Sequence, residues 1–155
     1  MNARTLLMRL VARRTLLLVA GGLAAGCAGD GAPPSGGGTY ATIQTEIFDA
    51  GCTQQACHSA AGRAGDLSLS AGESYDELVD VESANPTAAA AGLLRVEPFH
   101  AEQSFLMRKL TGDLAPGEGS VMPIGALPLS PEQLALIADW IDAGAEPDPE
   151  ATAAP

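Results

Sequence analysis

The sequence predicts a small all-α domain with long Gly/Pro loops, and three observations carry the prediction. Apolar residues recur at spacings of three and four in several segments, and no segment alternates as a sheet strand does. The segments are separated by stretches rich in Gly and Pro, of which the chain has eighteen and eleven. Aromatic residues make up only 4% of 155 residues, so the core is thin and calls for a staple: a disulfide, a metal or a bound cofactor.

Residues 1–27 read as an export signal. "MNARTLLMRLVARRTLLLVAGGLAAGC" has four arginines and no acid, then an apolar run from Thr15 to Ala25 that is too short to span a bilayer. Small residues precede Cys27 in "LAAGC". The segment resembles a bacterial lipoprotein signal, which implies lipidation of Cys27 and a membrane anchor on the periplasmic side of the cell envelope. Ala28 supplies no aspartate-type retention signal, which favours the outer membrane over the inner. Residues 28–38, "AGDGAPPSGGG", read as a flexible tether. Residues 39–145 are the predicted domain, and the acidic, Pro-rich 146–155 a disordered tail.

Within the domain, "YATIQTEIFDAG" places Tyr40, Ile43 and Ile47 on one helical face, with Thr39 or Thr42 as cap and Gly51 as stop. "GDLSLS" reads as a short extended piece. Ser70 and Glu73 stand at capping-box spacing before a short helix with Tyr75, Leu78 and Val79 inward. "NPTAAAAGLLRVEP", bracketed by Pro86 and Pro98, reads as loop with an extended stretch over Leu93–Val96. "HAEQSFLMRKLTG" is a helix with Phe105, Leu106 and Leu110 inward, Met107 as filler, Arg108 and Lys109 at its C-terminal end and Gly112 as stop. "GDLAPGEGSVMPIGALPL" is loop. The last helix has a full signature: Ser130 as cap, Pro131 in the first turn, Gln133 closing the box, and a stripe of Leu134, Ile137 and Ile141 with Trp140 beside it.

The chemistry-bearing stretch is "GCTQQACHSAAG". It holds Cys52, Cys57 and His58, in a chain with three cysteines and two histidines. An exported compartment permits a Cys52–Cys57 disulfide. A zinc site of Cys52, Cys57, His58 and His100 departs from finger spacing, and adjacent Cys57 and His58 are poorly placed for two corners of one tetrahedron. The third reading is covalent haem: C-x-x-C-H is the c-type attachment signature, here with a four-residue spacer. In that chemistry each thiol adds across one vinyl group and the adjoining imidazole ligates iron. The motif alone does not choose between disulfide and haem. Met122, in a Gly/Pro loop rather than a helix stripe, is a candidate sixth ligand, with His100 as the bis-His alternative.

Three stretches in this order, "IFDAGCTQQACHSAAGRAGDLSLS", "RVEPFHAEQSFLMRKLTG" and "GSVMPIGALPLSPEQLALIADWIDAGA", resemble the small cytochrome c domains of exported bacterial lipoproteins. The resemblance covers about residues 43–145. It implies about four helices around one covalently bound haem c, attached through Cys52 and Cys57, with His58 as proximal and Met122 as distal ligand. Trp140 is a possible haem contact, through a propionate. Two departures stand out: the C-x4-C-H spacer, and Phe99–His100 where relatives tend toward a Gly-Asp turn. The implied role is single-electron transfer, not catalysis. No hydrolytic triad or phosphate loop is present, and the G-x-G patterns in "PGEGS" and "SGGGT" lack a strand-helix context.

Charge bounds the partners. After residue 27, four basic residues stand against nineteen acids, a balance of −15. Such a surface repels nucleic acid and anionic lipid and suits a redox protein with a basic docking face. The competing reading is a disulfide-stapled envelope lipoprotein that binds or scaffolds without haem.

Overall fold

The computed structural model describes residues 39–148. The export signal, Cys27, the tether over 28–38 and the tail from 149 onward lie outside the described residues. The described part is helical, and its only β pairing is two isolated bridges, Val79 with Val96 and Glu82 with Leu94. Helix α1 (Tyr40–Ile43) runs into a π-helical segment (Gln44–Cys52), followed by α2 (Ser74–Leu78), α3 (Pro86–Ala90), α4 (Phe105–Thr111) and α5 (Pro131–Asp142). Two 3₁₀ turns, Ala64–Asp66 and Ala101–Gln103, join them. No helix among the described residues is long and apolar enough to cross a membrane.

The first helix starts where expected. Thr39 caps it through its hydroxyl, which accepts from the Thr42 amide. Its winding differs from the expected α period, and it passes Gly51 to end at Cys52. In a π-helix the hydrogen bonds run from i to i+5, so residues five apart lie nearly above one another. Ile43 and Phe48, and then Ile47 and Cys52, are such pairs. Ile43, Ile47 and Phe48 are buried, and Cys52 packs against the same core.

The expected Ser70–Glu73 capping box does not form. Glu73 itself takes the cap position of α2 without a side-chain bond, and the Ser70 hydroxyl instead accepts the Ala60 amide at 2.9 Å. Ser70 therefore ties α2 to the cysteine loop. The segment expected to be loop contains α3: Asn85 Oδ1 accepts from the Thr87 and Ala88 amides, and Pro86 opens the helix. Pro86 acts there as a first-turn residue, not as a breaker. The extended stretch after it forms the bridges. Phe99 adopts φ +68°, a left-handed conformation that glycine enters without strain, so the departure at this position has a backbone cost.

The α5 signature is realised in full. The Ser130 hydroxyl accepts from the Gln133 amide at 3.3 Å, and Gln133 Oε1 accepts from the Ser130 amide at 3.0 Å. Ile137, Trp140 and Ile141 are buried, while Leu134 is half-buried. They share one core with Ile43, Ile47, Phe48, Leu78, Val96, Met107 and Leu110. Met107 is thus the core filler expected. An aromatic cluster closes one end: Tyr40 lies 5.1 Å from Trp140 and 5.2 Å from Tyr75 between ring centroids. Burial raises the Tyr40 phenol above its ordinary range, and its hydroxyl donates to Ser74 Oγ at 2.6 Å.

The ordered part extends past 145. Trp140 Nε1 donates to the Glu146 carbonyl at 2.9 Å, and the Asp148 carboxylate accepts from the Ala41 amide. The first three residues assigned to a disordered tail are therefore a clasp that joins α5 to the start of α1.

Candidate functional site

The cysteine loop is held by its own backbone. The His58 amide donates to the Cys52 carbonyl at 3.1 Å, and the Cys57 amide to the Gln54 carbonyl at 2.8 Å. The Ala64 amide returns to the Cys57 carbonyl at 2.9 Å, and the Leu69 amide to the His58 carbonyl at 2.7 Å. Both backbone groups of His58 are thereby paired. Leu69, in the "LSL" stretch, is buried in the core and anchors the loop to it. Gly62 is required where the loop folds over itself: a Cβ there would lie 2.8 Å from the Cys57 carbonyl oxygen and closer still to that of Gln55.

Cys52 and Cys57 are half-buried free thiols. Burial pushes the Cys52 thiol up to about 11, with Cys57 adding a smaller push, and its Sγ lies 3.6 Å from the Ile47 carbonyl. Such an environment favours neutral sulfur over thiolate. A thioether or a disulfide suits it. The His58 ring is half-buried, and its Nδ1 is buried with no hydrogen-bond partner among the described residues. A buried unpaired nitrogen of this kind costs about 1–3 kcal/mol.

Met122 is half-buried beside the core, as is Leu129, on a loop that also exposes several apolar residues. Val121 is 45% exposed, Ile124 70% and Leu127 88%, an apolar lip without a charged residue from Gly119 to Pro131. Between this loop and the first helix is a cavity of about 240 Å³, lined by Glu46, Ile47, Cys52, Pro123, Leu127 and Leu129 among others. Of the predicted set only Cys52 lines it. Met122 adjoins the lining residue Pro123, and Cys57 and His58 lie in the loop that leads off Cys52.

The other predicted residues lie apart. His100 is exposed, with Nδ1 3.2 Å from Gln103 Nε2, on a larger cavity of about 610 Å³ that it shares with Phe99, Arg108 and Asp142. No three His, Cys, Asp or Glu side chains among the described residues converge to hold a metal ion, so the four-residue zinc set is not assembled. A His–Met pair on haem iron is not a group of that kind. Trp140 is buried and its indole N–H is committed to Glu146, which leaves it no N–H for a propionate.

Sequence reasoning passed over Glu118. Its only signal was a single acid among the glycines of "PGEGS", yet it is 2% exposed and paired with Arg108 at 3.0 Å.

The chain matches no protein-family model, no curated protein and no solved structure.

Proposed function

We propose that the protein is a membrane-tethered, periplasm-facing monohaem c-type cytochrome with a small cytochrome c-like fold, which carries single electrons. The observation that carries this reading is the pairing of a desolvated, neutral Cys52 with the uncharged Met122 loop across one cavity. The residues fit haem. The half-buried Cys52 and Cys57 suit thioethers, His58 has an imidazole nitrogen that no group among the described residues claims, and the exposed Val121, Ile124 and Leu127 suit a flat apolar ring.

In this reading Cys52 and Cys57 would hold haem c, and His58 and Met122 would ligate its iron. Bound haem supplies one-electron Fe(III)/Fe(II) chemistry. The chain's own part is to hold its ligands in fixed places. The backbone of His58 is pinned on both sides, and the Met122 amide is pinned to α4. Ligands that stay in place between oxidation states keep reorganisation small. Leu129 and Pro123, half-buried beside the cavity, limit water at the site, which raises the potential relative to a wet site. The acidic surface steers toward a basic docking face on the redox partner, and lipid on Cys27 keeps the domain at the membrane, with the outer membrane favoured. The competing reading, a Cys52–Cys57 disulfide in a binding or scaffolding lipoprotein, gives no role to His58 or Met122.

Replacing Met122 with Ala tests the ligand set. The expected result is an opened sixth position, an altered visible spectrum, and a potential lower by on the order of 0.1 V within the roughly 0.8 V span that axial ligands set. An unchanged spectrum in M122A refutes Met122 as ligand.

A further inference from the structure

We infer that Glu118 is the positioning residue for Met122: a buried carboxylate, locked to the end of α4, fixes where the methionine stands. The inference rests on the haem reading for its functional meaning, and on geometry for the lock itself. Residues 111–121 are mostly exposed, and Glu118 is the one fully buried among them. Its Oε2 accepts from Arg108 Nη2 at 3.0 Å and from the Ala115 amide at 2.8 Å. Its backbone carbonyl accepts from Lys109 Nζ at 3.0 Å. The same Lys109 supplies the carbonyl that accepts the Met122 amide at 2.8 Å.

Two consecutive residues of α4 thus hold both ends of the stretch from Glu118 to Met122. Between those ends, Gly119, Ser120 and Val121 make no hydrogen bond among the described residues. Apart from the packing of Met122 beside the core, the polar ties of this stretch among the described residues are those at its two ends. The last carbonyls of a helix have no partner within it, and here one of them takes the Met122 amide. A buried carboxylate is held in place only while its charge is paired, so loss of either partner releases the loop. The polar ties to α4 that remain are the Lys109 amine on the Glu118 carbonyl and the Met122 amide on the Lys109 carbonyl.

The experiment compares Glu118→Leu and Glu118→Gln with the parent, using the full chain in detergent. Amide hydrogen exchange is read at Met122 and, as a reference in the core of α5, at Ile141. Expected in E118L is a rise of tenfold or more in Met122 exchange with Ile141 unchanged. E118Q, which still accepts from Arg108 and Ala115, shows a smaller rise. In protein that carries haem, the methionine-to-iron charge-transfer band weakens in E118L and is retained in E118Q. Unchanged Met122 exchange overturns the lock, as does an equal rise at Ile141, which marks global loosening. Faster Met122 exchange with an unchanged band overturns its role in placing the ligand. If the parent carries no haem, the cytochrome reading has failed, while the exchange comparison still decides the lock. Should E118L not fold, Arg108→Met, which removes the charge partner of the Glu118 carboxylate and leaves Lys109 in place, must show the same selective rise.

Discussion

His58→Leu is expected to raise the stability of the haem-free chain while abolishing low-spin haem absorbance in protein made with haem-maturation machinery. The two effects have opposite signs because His58 is unsatisfied in the chain on its own. Its Nδ1 is buried without a partner among the described residues, and leucine removes that nitrogen while keeping most of the side-chain volume. Removing an unpaired buried polar atom recovers part of a penalty of about 1–3 kcal/mol. The half-exposed ring and the small change in shape reduce the gain to roughly 1 kcal/mol. A residue that costs stability in isolation and is required for a ligand has the trade-off expected of a functional position. Chemical denaturation of the haem-free protein checks the first effect and the visible spectrum the second. A clear loss of stability in H58L means that the imidazole is a structural member of the loop, which removes one support of the haem reading.

Gly62→Ala is expected to disable the cysteine loop. The added methyl group meets two backbone carbonyls, those of Gln55 and Cys57, not the movable end of a side chain. Forcing it in costs about 1–3 kcal/mol or more. The strain falls on Cys57, whose carbonyl must also keep the Ala64 amide. The yield of covalently attached haem should therefore drop at least tenfold, as Cys57 and His58 lose their placement. Gly51→Ala is the matched control. A Cβ at Gly51 has nothing within 4 Å, and in a helical segment alanine gains roughly 0.5–1 kcal/mol over glycine. Equal behaviour of the two variants in thermal unfolding of the haem-free chain contradicts the account of the loop.

The parts of this molecule legible in the sequence are those fixed by local chemistry. Ser130, Pro131 and Gln133 make their hydrogen bonds within four residues, so α5 was readable from its first turn. Gly112 likewise ends α4 with φ +87°. The parts that were not legible depend on residues distant in sequence. The period of apolar residues did not distinguish α from π winding in the first helix, because Ile43, Ile47, Phe48 and Cys52 form one face under either only once the core is present. Pro86 read as a breaker, because whether the adjacent Asn85 caps a helix there is settled by the burial of Ala88 in the fold. Trp140 was open to a propionate until Glu146, six residues on, folded back to take its N–H. Glu118 was hidden for the same reason: its partner Arg108 is ten residues away on another element.

The site divides in the same way. Cys52, Cys57 and His58 were legible as one loop because they are neighbours in sequence. That the Met122 loop faces Cys52 across a cavity depends on the long connection through α4, which no local pattern encodes. The uncharged stretch from Gly119 to Pro131, in so acidic a chain, was visible in the sequence. Its exposure at Ile124 and Leu127 became visible only in the fold.

The most direct test of covalent haem is the intact mass of the exported protein, made with haem-maturation machinery and then denatured. The account predicts a mass higher than that of the mature polypeptide by one haem, retained after denaturation because both thioethers are covalent. A mass lower by two hydrogens, with no haem, contradicts it and establishes a Cys52–Cys57 disulfide in its place.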